Sequence, residues 1–155
     1  MNMRPIKFRA WDEAEKRWLN IDEFFIFYDG TIFLVTWLDD SVYDDAVTLG
    51  RAGENIKLVQ YTGLKDKNGK KVFEGDILRV TEMSEGYKSA ELEVKEFKAP
   101  VVFDDYGWIL YDKEDTGYPL VILDRTFDSI GTDTEIEILG NLYDSPELLE
   151  VGAQK

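Results

Sequence analysis

Apolar and polar positions alternate along most of this chain in short runs. Gly, Asn or Asp interrupts them every ~8–12 residues, the rhythm of an all-β protein. The clearest stretch is Leu58 to Val80, LVQYTGLKDKNGKKVFEGDILRV. Val59 and Tyr61 mark one side of a first strand. Asn68-Gly69 then offers two residues that tolerate positive φ, which predicts a tight type I′ turn. Val72-Phe73 opens the return, Gly75-Asp76 bends it, and Ile77, Leu78 and Val80 carry a second strand.

Upstream, Ile6, Phe8 and Ala10 alternate with Lys7 and Arg9, a strand pattern. Asp12–Arg17 is a polar turn, and Trp18, Leu19 and Ile21 return, so residues 5–21 read as a β-hairpin. A helix over Ala10–Leu19 competes, because EAEKRWL holds good helix formers. A second hairpin is predicted from EFFIFY (Glu23–Tyr28), Asp29-Gly30 and TIFLVTWL (Thr31–Leu38). Left at an open edge, this aromatic run would promote aggregation, so cover from the fold or another subunit is expected. Asp39–Asn55 reads as an acidic loop and a boundary, giving an N-terminal β unit over 1–55 and a second unit over 56–155.

In the second unit, Thr81–Ser89 reads as a loop. Strands are predicted at Glu91–Phe97, Val101–Phe103, Trp108–Tyr111, Tyr118–Leu123 and Glu135–Leu139, with turns at Asp104–Gly107 and Asp112–Gly117. A short helix closes the chain: Ser145 caps it, Pro146 suits its first position, and Glu147 sits near the positive end of its dipole. Leu148, Leu149 or Val151 would dock it, and Gly152 ends it. The fold class expected is mainly β, a small barrel or sandwich.

Composition narrows the chemistry. With 155 residues, 44% hydrophobic and 14% aromatic, the chain has material for one ordinary domain or two small ones. It has no run of about 18 apolar residues and no signal-peptide pattern, so no membrane is expected and a cytoplasmic site is the default. Cys and His are both absent. That excludes disulfides, thiolate nucleophiles, Cys/His zinc sites and imidazole bases. Any catalysis would rest on carboxylates, Lys, Tyr, Ser or Thr.

The net charge of −14 is skewed: residues 1–81 hold 14 acids and 12 bases, residues 82–155 hold 18 acids and 6 bases. Direct nucleic-acid binding through the second half is disfavoured, since phosphates need Lys and Arg. The ordinary role of such charge is solubility, and the sharper one is docking on a basic partner.

No phosphate-cradling glycine loop and no nucleophile elbow is present. Asp66-Lys67-Asn68-Gly69 fails as a calcium loop, because its sixth and twelfth positions are Lys71 and Ile77. Glu74-Gly75-Asp76 could be an acid/base pair, but a bend in which Asp76 accepts backbone N–H groups is preferred. Asp39, Asp40, Asp44 and Asp45 lack chelating spacing. With Trp37 and Tyr43 beside them they form a candidate protein-contact patch, since aromatics gather at interface centres. No catalytic, cofactor-binding or metal-binding residue is assigned.

Three blocks in order, KFRAWD from Lys7, QYTGLKDKNGKKVFEGDIL from Gln60 and EILGNLYDSPELL from Glu137, resemble the YopX family of phage and prophage proteins. The resemblance implies a β-rich fold with an SH3-like barrel over 56–155, carried by bacteriophages and prophages. No activity or cofactor comes with it. The function expected is therefore that of a non-catalytic accessory module that binds a host or phage protein, as a homo-oligomer. The alternatives are an acidic nucleic-acid mimic that blocks a basic host protein, or a carboxylate-dependent hydrolase.

Overall fold

A computed structural model describes residues 5–20, 24–37, 43–51, 55–85, 92–105, 107–123 and 132–150. The chain is mainly β, and it divides into two compact units, Ile6–Gln60 and the chain from Tyr61 on.

The first unit contains β1 (Phe8–Asp12), β2 (Arg17–Trp18), β3 (Phe24–Ile26), β4 (Thr31–Trp37), β5 (Tyr43–Arg51) and the first half of β6 (Ile56–Lys65). β1 pairs antiparallel with β2, Trp11 opposite Trp18, and on its other side with β6, Ala10 opposite Leu58. The alternative helix over Ala10–Leu19 is thus not formed. Cross-strand burial explains why. Trp11 and Trp18 pack edge to face at 5.2 Å, Arg9 stacks 3.9 Å above the Trp18 ring, and Ala10 enters a core with Leu19, Ile32 and Ile56. A helix would scatter these contacts.

β3, β4 and β5 form a separate three-stranded sheet with β4 in the middle. The stretch read as an acidic loop is in part a strand. Tyr43–Arg51 pairs with β4 over its whole length, with irregularities at Ile32/Phe33 and Thr36/Trp37. Its sequence, YDDAVTLGR, has weak strand propensity at the start, and hairpin pairing with the strongly β-prone β4 just before it overrides that.

In the second unit, the rest of β6 pairs with β7 (Lys71–Phe73). β8 (Asp76–Glu85) lies between β9 (Leu92–Pro100) and β13 (Thr132–Asn141). β10 (Val102–Asp104), β11 (Gly107–Tyr111) and β12 (Gly117–Pro119) make a three-stranded meander. Two single helical turns complete it, α1 (Leu120–Leu123) and α2 (Glu147–Glu150). Val72, Leu78, Val80, Ala99, Val101, Leu110, Leu120, Leu123 and Ile136 share one buried cluster, so both sheets and α1 face a common core. Each Val, Leu or Ile side chain among them contributes about 1.5–3 kcal/mol by leaving water.

Two expectations are corrected here. β8 continues to Glu85 where a loop after Val80 was expected, because β9 and β13 pair with it that far, Glu85 opposite Leu92 and Ser84 opposite Thr132. The strand predicted over Tyr118–Leu123 ends at Pro119 and becomes a helical turn. The turn puts Leu120 and Leu123 into the core together, while Val121 faces out. An extended chain would send positions three apart to opposite faces.

Candidate functional site

The residues that looked most like chemistry in the sequence build turns. Asp66 is buried, and its Oδ1 accepts the backbone N–H groups of Asn68 and Lys70, both at 2.9 Å. Its Oδ2 accepts the N–H of Ile138 on β13 at 3.2 Å. Burial pushes this carboxyl up, but the N–H groups of Lys70, Ile138 and Asn68 together hold it below the ordinary range. The turn runs over Lys67 and Asn68, closed by Gly69 N–H donating to the Asp66 carbonyl, and only Gly69 takes positive φ, at 78°. The type I′ turn expected at Asn68-Gly69 is therefore not the one formed. The Asp66 carboxylate stabilises a turn one residue earlier, with glycine following it.

Asp112 repeats the device. Its Oδ1 accepts Glu114 and Thr116 N–H at 2.9 Å each, and Asp115 takes the left-handed conformation at φ 58°. Asp12 does so more loosely, accepting Ala14 and Glu15 N–H before Lys16 at φ 53°. Asp76, buried, accepts the Phe73 N–H at 2.7 Å and the buried Asn141 amide at 3.0 Å. The structural reading of Glu74-Gly75-Asp76 fits this geometry.

Nothing in the described side chains arranges a reaction centre. A cavity of about 370 Å³ holds Glu96, Asp112 and Glu114, but Lys98 and Lys113 sit among them. The Thr116 N–H, with those of Glu114 and the Tyr118 hydroxyl, keeps the Asp112 carboxyl below its usual range against a burial effect that raises it. A glycosidase acid needs the reverse. The Tyr111 hydroxyl donates to Asp104 Oδ2 at 2.7 Å, and that bond pushes its pKa up. Burial, with the charge of Asp112, raises that of Tyr118. Neither phenol is poised as a nucleophile. Among the described residues, no group of three or more Asp or Glu is placed to hold a metal ion.

The acids of the β9–β8–β13 sheet are interleaved with bases. Lys67 reaches Glu135 and Glu137 at 3.5 and 3.4 Å, and Arg79 reaches Glu137 and Glu96 at 3.2 and 3.6 Å. This sheet does not present an unbroken row of carboxylates.

Of the acidic–aromatic patch chosen from the sequence, the backbone places Trp37 opposite Tyr43 and Asp45 opposite Thr36, with Asp44 between them on β5. Asp39 and Asp40 lie outside the described residues.

The surface that sequence reasoning missed is a cleft of about 500 Å³ in the second unit. Thr62, Gly63 and Leu64 of β6 form one wall. Gly107, Trp108 and Ile109 of β11 form the floor, and Pro119, Leu120 and Val121 form the other wall. Asp105 stands at the rim, and the exposed Phe103 ring abuts Trp108 edge to face at 5.0 Å. The size and apolar lining are those of a binding cleft. Trp108 packs on the core as a partly buried side chain and also lines the cleft. The only local signal was the Asp-Asp-Tyr-Gly turn that delivers it.

The family described as YopX protein matches residues 7–150. The chain belongs to the YopX family. It is also similar to a solved structure, the crystal structure of protein EF1440 from Enterococcus faecalis. The two are 26% identical with a TM-score of 0.56, over 95% of this chain and 99% of that one. No curated protein matches the chain. The YopX match thus spans both compact units, and the cleft and the aspartate-anchored turns lie inside it. No helix among the described residues is long and apolar enough to cross a membrane.

Proposed function

We propose that this YopX-family protein is a non-catalytic binding module, a phage or prophage accessory protein working in the cytoplasm of a bacterial host. Its second unit, read as an SH3-like barrel over 56–155, takes a short extended segment of a host or phage protein in the Leu64–Trp108–Leu120 cleft. The observation that carries this reading is the cleft itself: apolar walls around a partly buried tryptophan, with the Asp105 carboxylate at the rim. The meander that forms its floor, residues 102–119, holds five acids and one base. That charge selects a segment carrying Lys or Arg next to its apolar residues.

The test is a titration of isotope-labelled protein with an array of extended peptides, half containing Arg or Lys and half neutral. The expected result is amide shifts at Leu64, Trp108, Ile109 and Val121 with basic peptides, lost in the Trp108→Ala and Val121→Lys variants. Shifts that are absent, or that are equal for neutral peptides, would defeat the proposal. Val121 is exposed, so its variant reports on the cleft without disturbing the core.

A further inference from the structure

The first unit has a surface of a different kind. β3 is the outer strand of the β3–β4–β5 sheet, and its segment Phe24–Tyr28, FFIFY, holds no charge and no proline. Proteins normally blunt an open edge with those residues. One face of β3 and β4 serves the core, through Phe24 and Ile32. On the other, Phe25 stacks on its cross-strand partner Phe33 at 5.2 Å, and Phe27 adds to both rings at 6.2 and 5.4 Å. This aromatic row is open to solvent: Phe25 is 37% exposed and Phe27 48%, with Tyr28 beyond them at 96%; on the opposite face Ile26, paired with Ile32, is 36% exposed.

The direction of the backbone groups follows from the turn. Phe27 N–H donates to the Thr31 carbonyl at 2.8 Å, so Phe27 points its peptide groups toward β4. Alternation along an antiparallel strand then turns those of Phe25 the same way and those of Phe24 and Ile26 outward. We infer that β3 pairs antiparallel with β3 of a second copy about a two-fold axis at Phe25. Phe24 then faces Ile26 of the other copy, twice over, which gives four N–H···O=C bonds. Phe25 meets its own copy at the close, non-hydrogen-bonded position, where side chains approach most nearly. The two sheets become one of six strands, with both aromatic rows on the same face.

A second copy is the occupant the geometry favours. The segment is self-complementary under a two-fold, which is the commonest form of homo-oligomer. The area sets the strength. At ~200 Å² per large side chain, the open parts of Phe25, Ile26, Phe27 and Tyr28 amount to about 450 Å² per copy, and edge pairing covers only the portions beside the partner strand. Two copies therefore bury less than ~900 Å² of side chain, in the range of weak, transient interfaces. The dimer is therefore reversible and depends on concentration.

Sedimentation equilibrium from ~1 to ~500 μM should show the mass rising from one chain to two, over the micromolar range of a small interface. The variants Phe25→Lys and Phe25→Glu should each stay monomeric, since like charges meet at the axis. An equimolar mixture of the two should restore the dimer, a result that misfolding cannot give. In the unmodified protein, hydrogen exchange at the Phe24 and Ile26 amides should slow as concentration rises, while that of Phe25 stays unchanged. A monomer throughout the range overturns the inference. So does a dimer unaffected by either charge, a folded mixture that stays monomeric, or Phe24 and Ile26 amides that exchange freely in the dimer. This test does not involve the cleft, so its outcome and that of the peptide titration are read separately.

Discussion

Asp66 shows how a single carboxylate can look catalytic and be architectural. It closes its own turn with two N–H groups and ties that turn to β13 with a third. In Asp66→Asn, one oxygen still accepts from Asn68 and Lys70, but an amide nitrogen now opposes the Ile138 N–H. The expected cost is about 1–3 kcal/mol in urea unfolding. The pH dependence follows from the lowered folded-state value. The stabilisation is full above the ordinary 3.8 and is lost as pH falls below it through the depressed folded value. The acid limb of stability against pH should therefore be shallower in Asp66→Asn; an unchanged limb would show that Asp66 does not contribute to it. The position of this turn was legible from Asn68-Gly69. Its type was not, because that depends on a carboxylate two residues upstream and a strand 72 residues away.

Among elements, the tie between β13 and α2 rests on Gly140. A Cβ built there would lie 2.7 Å from Leu148 Cδ1 and 2.8 Å from the Ser145 Cβ, at the irregularity between Ile138 and Gly140. Gly140→Ala should cost about 1–3 kcal/mol through this overlap and loosen α2. Thermal unfolding and exchange of the Leu148 and Leu149 amides would measure both effects, and a variant as stable as the parent would refute the tie. Ser145 and Pro146 announced this helix in the sequence, and the Leu148 and Leu149 N–H groups donate to the Ser145 and Pro146 carbonyls at its start, while the Ser145 hydroxyl donates to Asp144 Oδ1 at 2.8 Å. The elements that local patterning missed share a cause. Tyr43–Arg51 is a strand because β4 pairs with it, and Leu120–Leu123 is a helical turn because the core takes both leucines. In both cases the deciding contact is a partner's packing and not the segment's own propensity: β5 follows the strong β4 strand despite its acidic start, and α1 follows the core. The cleft was hidden because its walls come from three separated stretches around residues 63, 108 and 120.

For the whole molecule, the lack of Cys and His narrows the possible chemistry from composition alone, and Asp66 and Asp112, held below the ordinary carboxyl range by N–H groups, are poorly suited to act as general acids. The uncharged edge at Phe24–Tyr28 has a colloidal consequence. The segment itself carries no charge and is flanked in the sequence by Asp22, Glu23 and Asp29, so acidic repulsion, within a net charge of −14, opposes close approach of two chains. That protection disappears near the isoelectric point of about 4.4, where carboxylates are gaining protons and the aromatic row is unchanged. Light scattering at fixed concentration should peak near that pH, and the peak should be smaller in Phe25→Lys at its own isoelectric point. Equal turbidity for the two proteins would place the sticky surface elsewhere. A chain that must stay dispersed with such an edge has to work away from its isoelectric point, and its acidity puts neutral solution well inside the protected range.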